Sequence, residues 1–157
     1  MPQLKKILAP LLTIAILSGS AVAVAQNAPK PEQLIKWRQS AFQVIAWNNG
    51  RVKANVEGTY NKEEVVKAAN TIAAVANAGL GSLFAPGSDK GKGWHDTSTK
   101  PEAFTDKRFG ELAGNFIKEA NELAKVAANS DQAAVKAQFG ALGKTCKACH
   151  DDFKTKD

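Results

Sequence analysis

The chain has 157 residues, 21 of them Lys or Arg against 15 Asp or Glu, for a formal net charge of +6. That length suits a single domain with an enclosed core. The basic residues are scattered among acidic ones, with no arginine-rich or aromatic-interleaved patch, so nucleic-acid binding finds no support.

Residues 1–25 read as a secretory signal rather than as fold. Lys5 and Lys6 precede an apolar run from Ile7 to Leu17, and Ala23-Val24-Ala25 forms a small-x-small cleavage site. The apolar run is shorter than the about 20 residues a membrane helix takes, so the mature form is not expected to span a bilayer. Cleavage after Ala25 leaves a domain over 26–157. It also lowers the net charge to +4, with 19 basic residues against 15 acidic.

The remainder predicts four helices. The first starts at Pro31, a residue suited to the first turn, with Glu32 beside it and a stripe of Leu34, Trp37, Ala41 and Ile45. A turn region follows around Asn49 to Tyr60. Asn61 and Glu64 read as a capping box opening a second helix with the stripe Val65, Ala69, Ile72, Ala76 and Leu80. A long loop from Gly81 to Lys100, rich in Gly and Pro, exceeds an ordinary helix–helix connection, and Trp94 is placed to pin it. Thr99-Lys100-Pro101-Glu102 reads as the start of a third helix, with the stripe Phe109, Leu112, Phe116, Ala120, Leu123 and Ala127. Ser130 reads as the cap of the fourth, whose stripe is Val135, Phe139, Leu142, Cys146, Cys149 and Phe153. No stretch alternates with period two, so no strands are predicted. Steps of three and four are the seam of an antiparallel bundle packed near about +20°.

The chemistry concentrates in Cys146-Lys147-Ala148-Cys149-His150. Two thiols separated by two residues, followed by an imidazole, form the attachment pattern of a c-type haem. On a helix, Cys146, Cys149 and His150 share one face, so both sulfurs can form thioethers to one porphyrin while the imidazole reaches its iron. The pattern also admits a disulfide, or three zinc ligands with His95 as the chain's sole remaining histidine or cysteine. Export favours haem, because c-type haem is attached outside the bacterial cytoplasm. The cysteines fall in register with the apolar stripe, so the haem is expected inside the helix assembly.

Methionine is the usual second axial ligand in cytochromes c, and the only methionine is Met1, within the leader. His95 is the remaining histidine and the candidate sixth ligand, but a partly exposed loop histidine is its expected role. An open axial position follows as the expectation.

A C-terminal C-x-x-C-H on the last of four helices, joined to Arg38-Gln39-Ser40-Ala41 in the first, resembles cytochrome c′. The match runs from Lys30-Pro31-Glu32 through Cys146 to Asp151. The resemblance implies one covalently attached haem c, with Cys146 and Cys149 as its thioether residues and His150 as the proximal iron ligand. It also implies Arg38 and Gln39 beside a haem propionate, Phe42 over the empty distal site, and Phe84 as a second distal wall. Lys154 stands where relatives carry arginine. Without a first-helix methionine the resemblance points to the high-spin, five-coordinate branch. That branch binds NO and CO, with NO trapping as the implied role, and pairs as a homodimer to which Trp47 or Val44 would contribute. The implied place is the periplasm, with a redox partner left undefined. The alternative is a periplasmic electron-transfer cytochrome with a six-coordinate haem. An enzyme is not expected, because no acid/base constellation is evident near the distal face.

Overall fold

The computed structural model describes residues 29–156. The leader expected at 1–25 lies outside them. Four α-helices form the architecture: α1 (Pro31–Glu57), α2 (Lys62–Ala76), α3 (Lys107–Asn129) and α4 (Gln132–Phe153). Single turns of 3-10 helix at Leu80–Leu83 and Pro101–Phe104 interrupt the long α2–α3 connection. The only pairings of extended backbone among the described residues are two isolated bridges, Lys92 with Asp96 and Thr99 with Lys154.

Consecutive helices pack closely, whereas α1 and α4 touch little. One end of the bundle is a closed apolar core. Ile45, Val52 and Val56 of α1 meet Val65, Ala69 and Ile72 of α2, Leu123 and Ala127 of α3, and Val135 and Leu142 of α4. The other end is different because α2 is short. Its 15 residues rise about 22 Å, whereas the 27 of α1 rise about 40 Å. Beyond Ala76 the fourth wall of the bundle is missing, and the 3-10 turns and the long loop stand in its place.

The helix boundaries depart from the sequence reading at polar residues. The expected turn at Asn49–Tyr60 is mostly helix, since α1 runs to Glu57. Asn48 and Asn55 are buried and satisfy themselves within the helix, donating to Val44 O (2.9 Å) and Arg51 O (3.0 Å). Thr99 does not open α3. Pro101–Phe104 closes as a 3-10 turn, and α3 begins at Lys107, capped by Asp106, which accepts from Arg108 N at 2.8 Å. The cap of α4 is Asp131, which accepts from Ala134 N at 2.9 Å, while Ser130 ends α3. Trp37, expected in the core, is 45% exposed, one position off the buried Leu34–Ile35–Arg38 face. Leu80 belongs to a 3-10 turn rather than to α2.

Half of the expected capping box forms. Asn61 Oδ1 accepts from Glu64 N (3.1 Å), but Asn61 N donates to Asn55 Oδ1 (2.7 Å) instead of to Glu64. Glu64 turns to α1, where it accepts from Asn55 Nδ2 and Arg51 Nε, both at 3.3 Å. Those hydrogen bonds hold the Glu64 carboxyl below its usual range. A depressed carboxyl stabilises the fold above its unfolded-state pKa and loses that contribution as pH falls through the folded value. Acid titration of stability should therefore flatten in Glu64→Gln. Asn55→Ala removes the amide that joins both helices at this turn and is expected to cost about 1–3 kcal/mol in thermal or denaturant unfolding.

Candidate functional site

Where α2 stops, the bundle encloses a cavity of about 460 Å³. α1 contributes Arg38, Phe42, Ile45 and Asn49 at helical spacing, and Gln39, Gln43 and Ala46 beside them. α3 contributes Phe109, Leu112 and Phe116, and α4 contributes Cys146, Cys149, His150 and Phe153. Leu80, Phe84 and the loop residues His95, Thr97, Ser98 and Thr99 close the remaining side. All seven residues singled out from sequence, Arg38, Gln39, Phe42, Phe84, Cys146, Cys149 and His150, thus line one space.

The two cysteines form no disulfide and lie partly buried on the inner side of α4. Burial pushes both thiols above their ordinary value, Cys149 further opposed by Cys146 and Asp152. Burial, then the nearby Lys154 charge, holds His150 below its ordinary value. A neutral imidazole keeps a nitrogen lone pair for a metal. Among the described residues no group of three or more His, Cys, Asp or Glu side chains could hold a bare metal ion, so the zinc alternative has no ligand set. Two adjacent thiols, one neutral imidazole and an apolar chamber fit a haem attached through Cys146 and Cys149 with His150 toward its iron.

The rest of the wall is aromatic. Phe84 lies edge-on to Phe42, with ring centroids 6.4 Å apart and planes at 67°, and packs on Phe109 at 4.7 Å. Phe109 in turn meets Phe153 edge-on at 5.5 Å. A continuous run of rings therefore joins α1, the 3-10 turn, α3 and the end of α4.

Arg38 and Gln39 are placed by the loop. Arg38 is 3% exposed, with its guanidinium donating to Leu83 O, Ser88 Oγ, Ser88 O and Thr97 Oγ1. Its Cζ lies 5.1 Å from the centre of the Phe84 ring. Burial lowers its pKa, partly countered by Asp89. The Gln39 amide accepts from Trp94 N (2.7 Å) and donates to His95 O (2.9 Å). Trp94 does pin the loop, through Nε1 donating to Ser40 Oγ at 2.9 Å and not by burial, since it is 61% exposed. His95 stands exposed at the cavity rim, its Nδ1 2.9 Å from Asp96 O.

Sequence reasoning missed Ser88, Thr97 and the loop residues Ser98 and Thr99, which carry no periodic signal. Phe109, Leu112 and Phe116 read as core stripe, and their register alone does not distinguish core from chamber.

A four-helix bundle that turns two thiols and an imidazole into an aromatic chamber is a c-type haem protein. The chain matches the family described as Cytochrome C′ over residues 33–154 and belongs to that family. One haem c is covalently attached. The chain is 67% identical over 130 residues to cytochrome c′ from Rhodocyclus tenuis, covering 82% of this chain and 98% of that one. It is similar to the solved structure of a cytochrome c′ with an unusual ligand-controlled dimer dissociation, with a TM-score of 0.78 and 45% identity, covering 82% of this chain and 98% of that one. It is also similar to the nitric oxide complex of a mutant cytochrome c prime from Alcaligenes xylosoxidans, with a TM-score of 0.72 and 28% identity, covering 81% and 98% respectively.

Gly93 sets how closely the loop approaches α1. A Cβ there would lie 2.9 Å from Lys36 N and 2.8 Å from Ile35 Cγ2, and would collide with Gln39 Oε1. Gly93→Ala should therefore lift the loop and cost about 1–3 kcal/mol in thermal unfolding, with faster amide exchange at Trp94.

Proposed function

We propose that this chain is an exported, periplasmic monohaem cytochrome c′ whose haem is five-coordinate and high-spin. It binds NO and CO at an apolar distal site, with NO trapping as its role. The observation that carries the reading is the pairing of His150 on α4 with the Phe42–Phe84 wall in the same chamber, in a chain whose only methionine is Met1.

A haem held here by Cys146, Cys149 and His150 would supply an iron able to bond a diatomic ligand. The protein's part is to orient and to exclude. Cys146 and Cys149 fix the porphyrin edge to α4, and His150 presents its neutral imidazole. Phe42 and Phe84 offer no hydrogen bond to a polarised dioxygen, which favours NO and CO over oxygen. Their rings also impose a steric cost on every incoming ligand. The role is binding rather than catalysis, because the Arg38 guanidinium, a group able to assist O–O cleavage, is engaged by Leu83, Ser88 and Thr97.

The electron-carrier alternative rests on His95, which lines the same chamber. It requires that histidine to leave the rim and close the iron. Among the described residues no helix is long and apolar enough to cross a membrane. Trp47 and Val44, 65% and 39% exposed on α1, fit a homodimer contact.

Three outcomes are expected. Optical spectra of the ferrous protein should show a high-spin Soret band that sharpens and shifts on adding CO, and that also changes on adding NO. Sharp low-spin bands before any gas is added would favour the electron carrier. Phe42→Ala should speed CO association by on the order of tenfold in stopped flow, the equivalent of about 1.4 kcal/mol of barrier. Trp47→Glu should leave the optical spectrum intact while shifting sedimentation toward the monomer.

A further inference from the structure

The loop that replaces the missing end of α2 is held at both sides of the chamber, and one buried cation stands at the junction. On the α1 side, all four terminal N–H groups of Arg38 have acceptors. Nη1 donates to Leu83 O (3.2 Å) and Ser88 Oγ (2.7 Å), and Nη2 donates to Ser88 O and to Thr97 Oγ1 (2.7 Å). These acceptors lie at opposite ends of the loop, one group just before and after Phe84 and the other at Thr97. Ser88 is itself fully buried, and its hydroxyl donates to Ala85 O at 2.8 Å.

On the α4 side, the residues directly after Thr97 are stitched to the helix end that follows His150. Thr155 N donates to Ser98 O at 2.8 Å, and Lys100 N donates to Phe153 O at 2.9 Å. Lys100 Nζ also donates to Asp152 O at 2.8 Å, covering a carbonyl of the last turn of α4. Thr97 Oγ1 accepts from Thr99 N at 3.3 Å, so the two sets of contacts meet within three residues.

We propose that Arg38 is a positioning residue that straps the Leu83–Lys100 segment across the haem chamber, tying the Phe84 wall on one side to the His150 end of α4 on the other. A buried guanidinium with these acceptors resists withdrawal strongly, because leaving either side unpaired strands a charge or two carbonyls and two hydroxyls away from water. Loosening the strap at Ser88 should therefore be felt at Lys100 and Thr155, which touch neither Ser88 nor Arg38. The part that concerns ligand access rests on the gas-binding reading above, whereas the mechanical part does not.

The test uses the haem-loaded protein in three forms: wild type, Arg38→Lys and Ser88→Ala. Ser88→Ala leaves Arg38 in place and guards against a failure of Arg38→Lys to fold. Amide hydrogen exchange at Lys100 and Thr155 should rise roughly three- to tenfold in Ser88→Ala and further in Arg38→Lys. Association of CO with the ferrous protein should accelerate in the same order. Unchanged exchange at both amides overturns the strap, as does an effect confined to residues next to Ser88. Faster exchange with an unchanged CO rate overturns its hold on the Phe84 wall. A wild type that takes no CO defeats the gas-binding reading, and the exchange data alone then decide for or against the strap.

Discussion

Two thiols and an imidazole on the inward face of α4 oblige the bundle to leave a space opposite them. Filled with side chains, that register would give an ordinary four-helix core, and the lower half from Ile45 to Leu142 is such a core. The space exists because α2 ends at Ala76, well short of its neighbours. With one wall absent, α1 and α4 touch little, and Phe42 and His150 line the same chamber between the surrounding elements. The loop is thus a structural consequence of the site, since something must shield the aromatic lining from water.

A loop has few apolar contacts with which to hold itself down, so polar tethers do it. Arg38, Gln39 and Ser40 occupy successive positions on α1, and each bonds to the loop. The close approach at Gly93 admits no side chain. Lys100 and Thr155 fasten the far end. The short sequence Arg38-Gln39-Ser40 that carried the resemblance therefore has a physical reason to stay together here. Its three side chains all bond within the Leu83–Thr97 segment.

The bundle and the haem-bearing face were legible because both depend on periodic apolar residues and a local motif. The stripes of α2, α3 and α4 land on buried or chamber-lining positions largely as read. Helix ends were misread where side chains act outside local propensity. Asn55 lies inside the expected turn, yet donates to its own helix and also reaches Glu64. Thr99 looks like a cap, but its segment pairs with Lys154 and α3 starts later at Asp106. The partners of Arg38 could not be read at all. Ser88 and Thr97 are 50 and 59 residues away from it in sequence, and no spacing rule joins a helix to a loop at that distance.

The proposed gas site would need His150 as the protein's iron ligand and no second side chain bonded to that iron. Electron paramagnetic resonance of the ferric haem-loaded protein at neutral pH tests this most directly, with His95→Ala as the comparison. A high-spin signal, the same in both proteins, is predicted. A low-spin signal that His95→Ala converts to high-spin would contradict the account, because it would put the rim histidine on the iron.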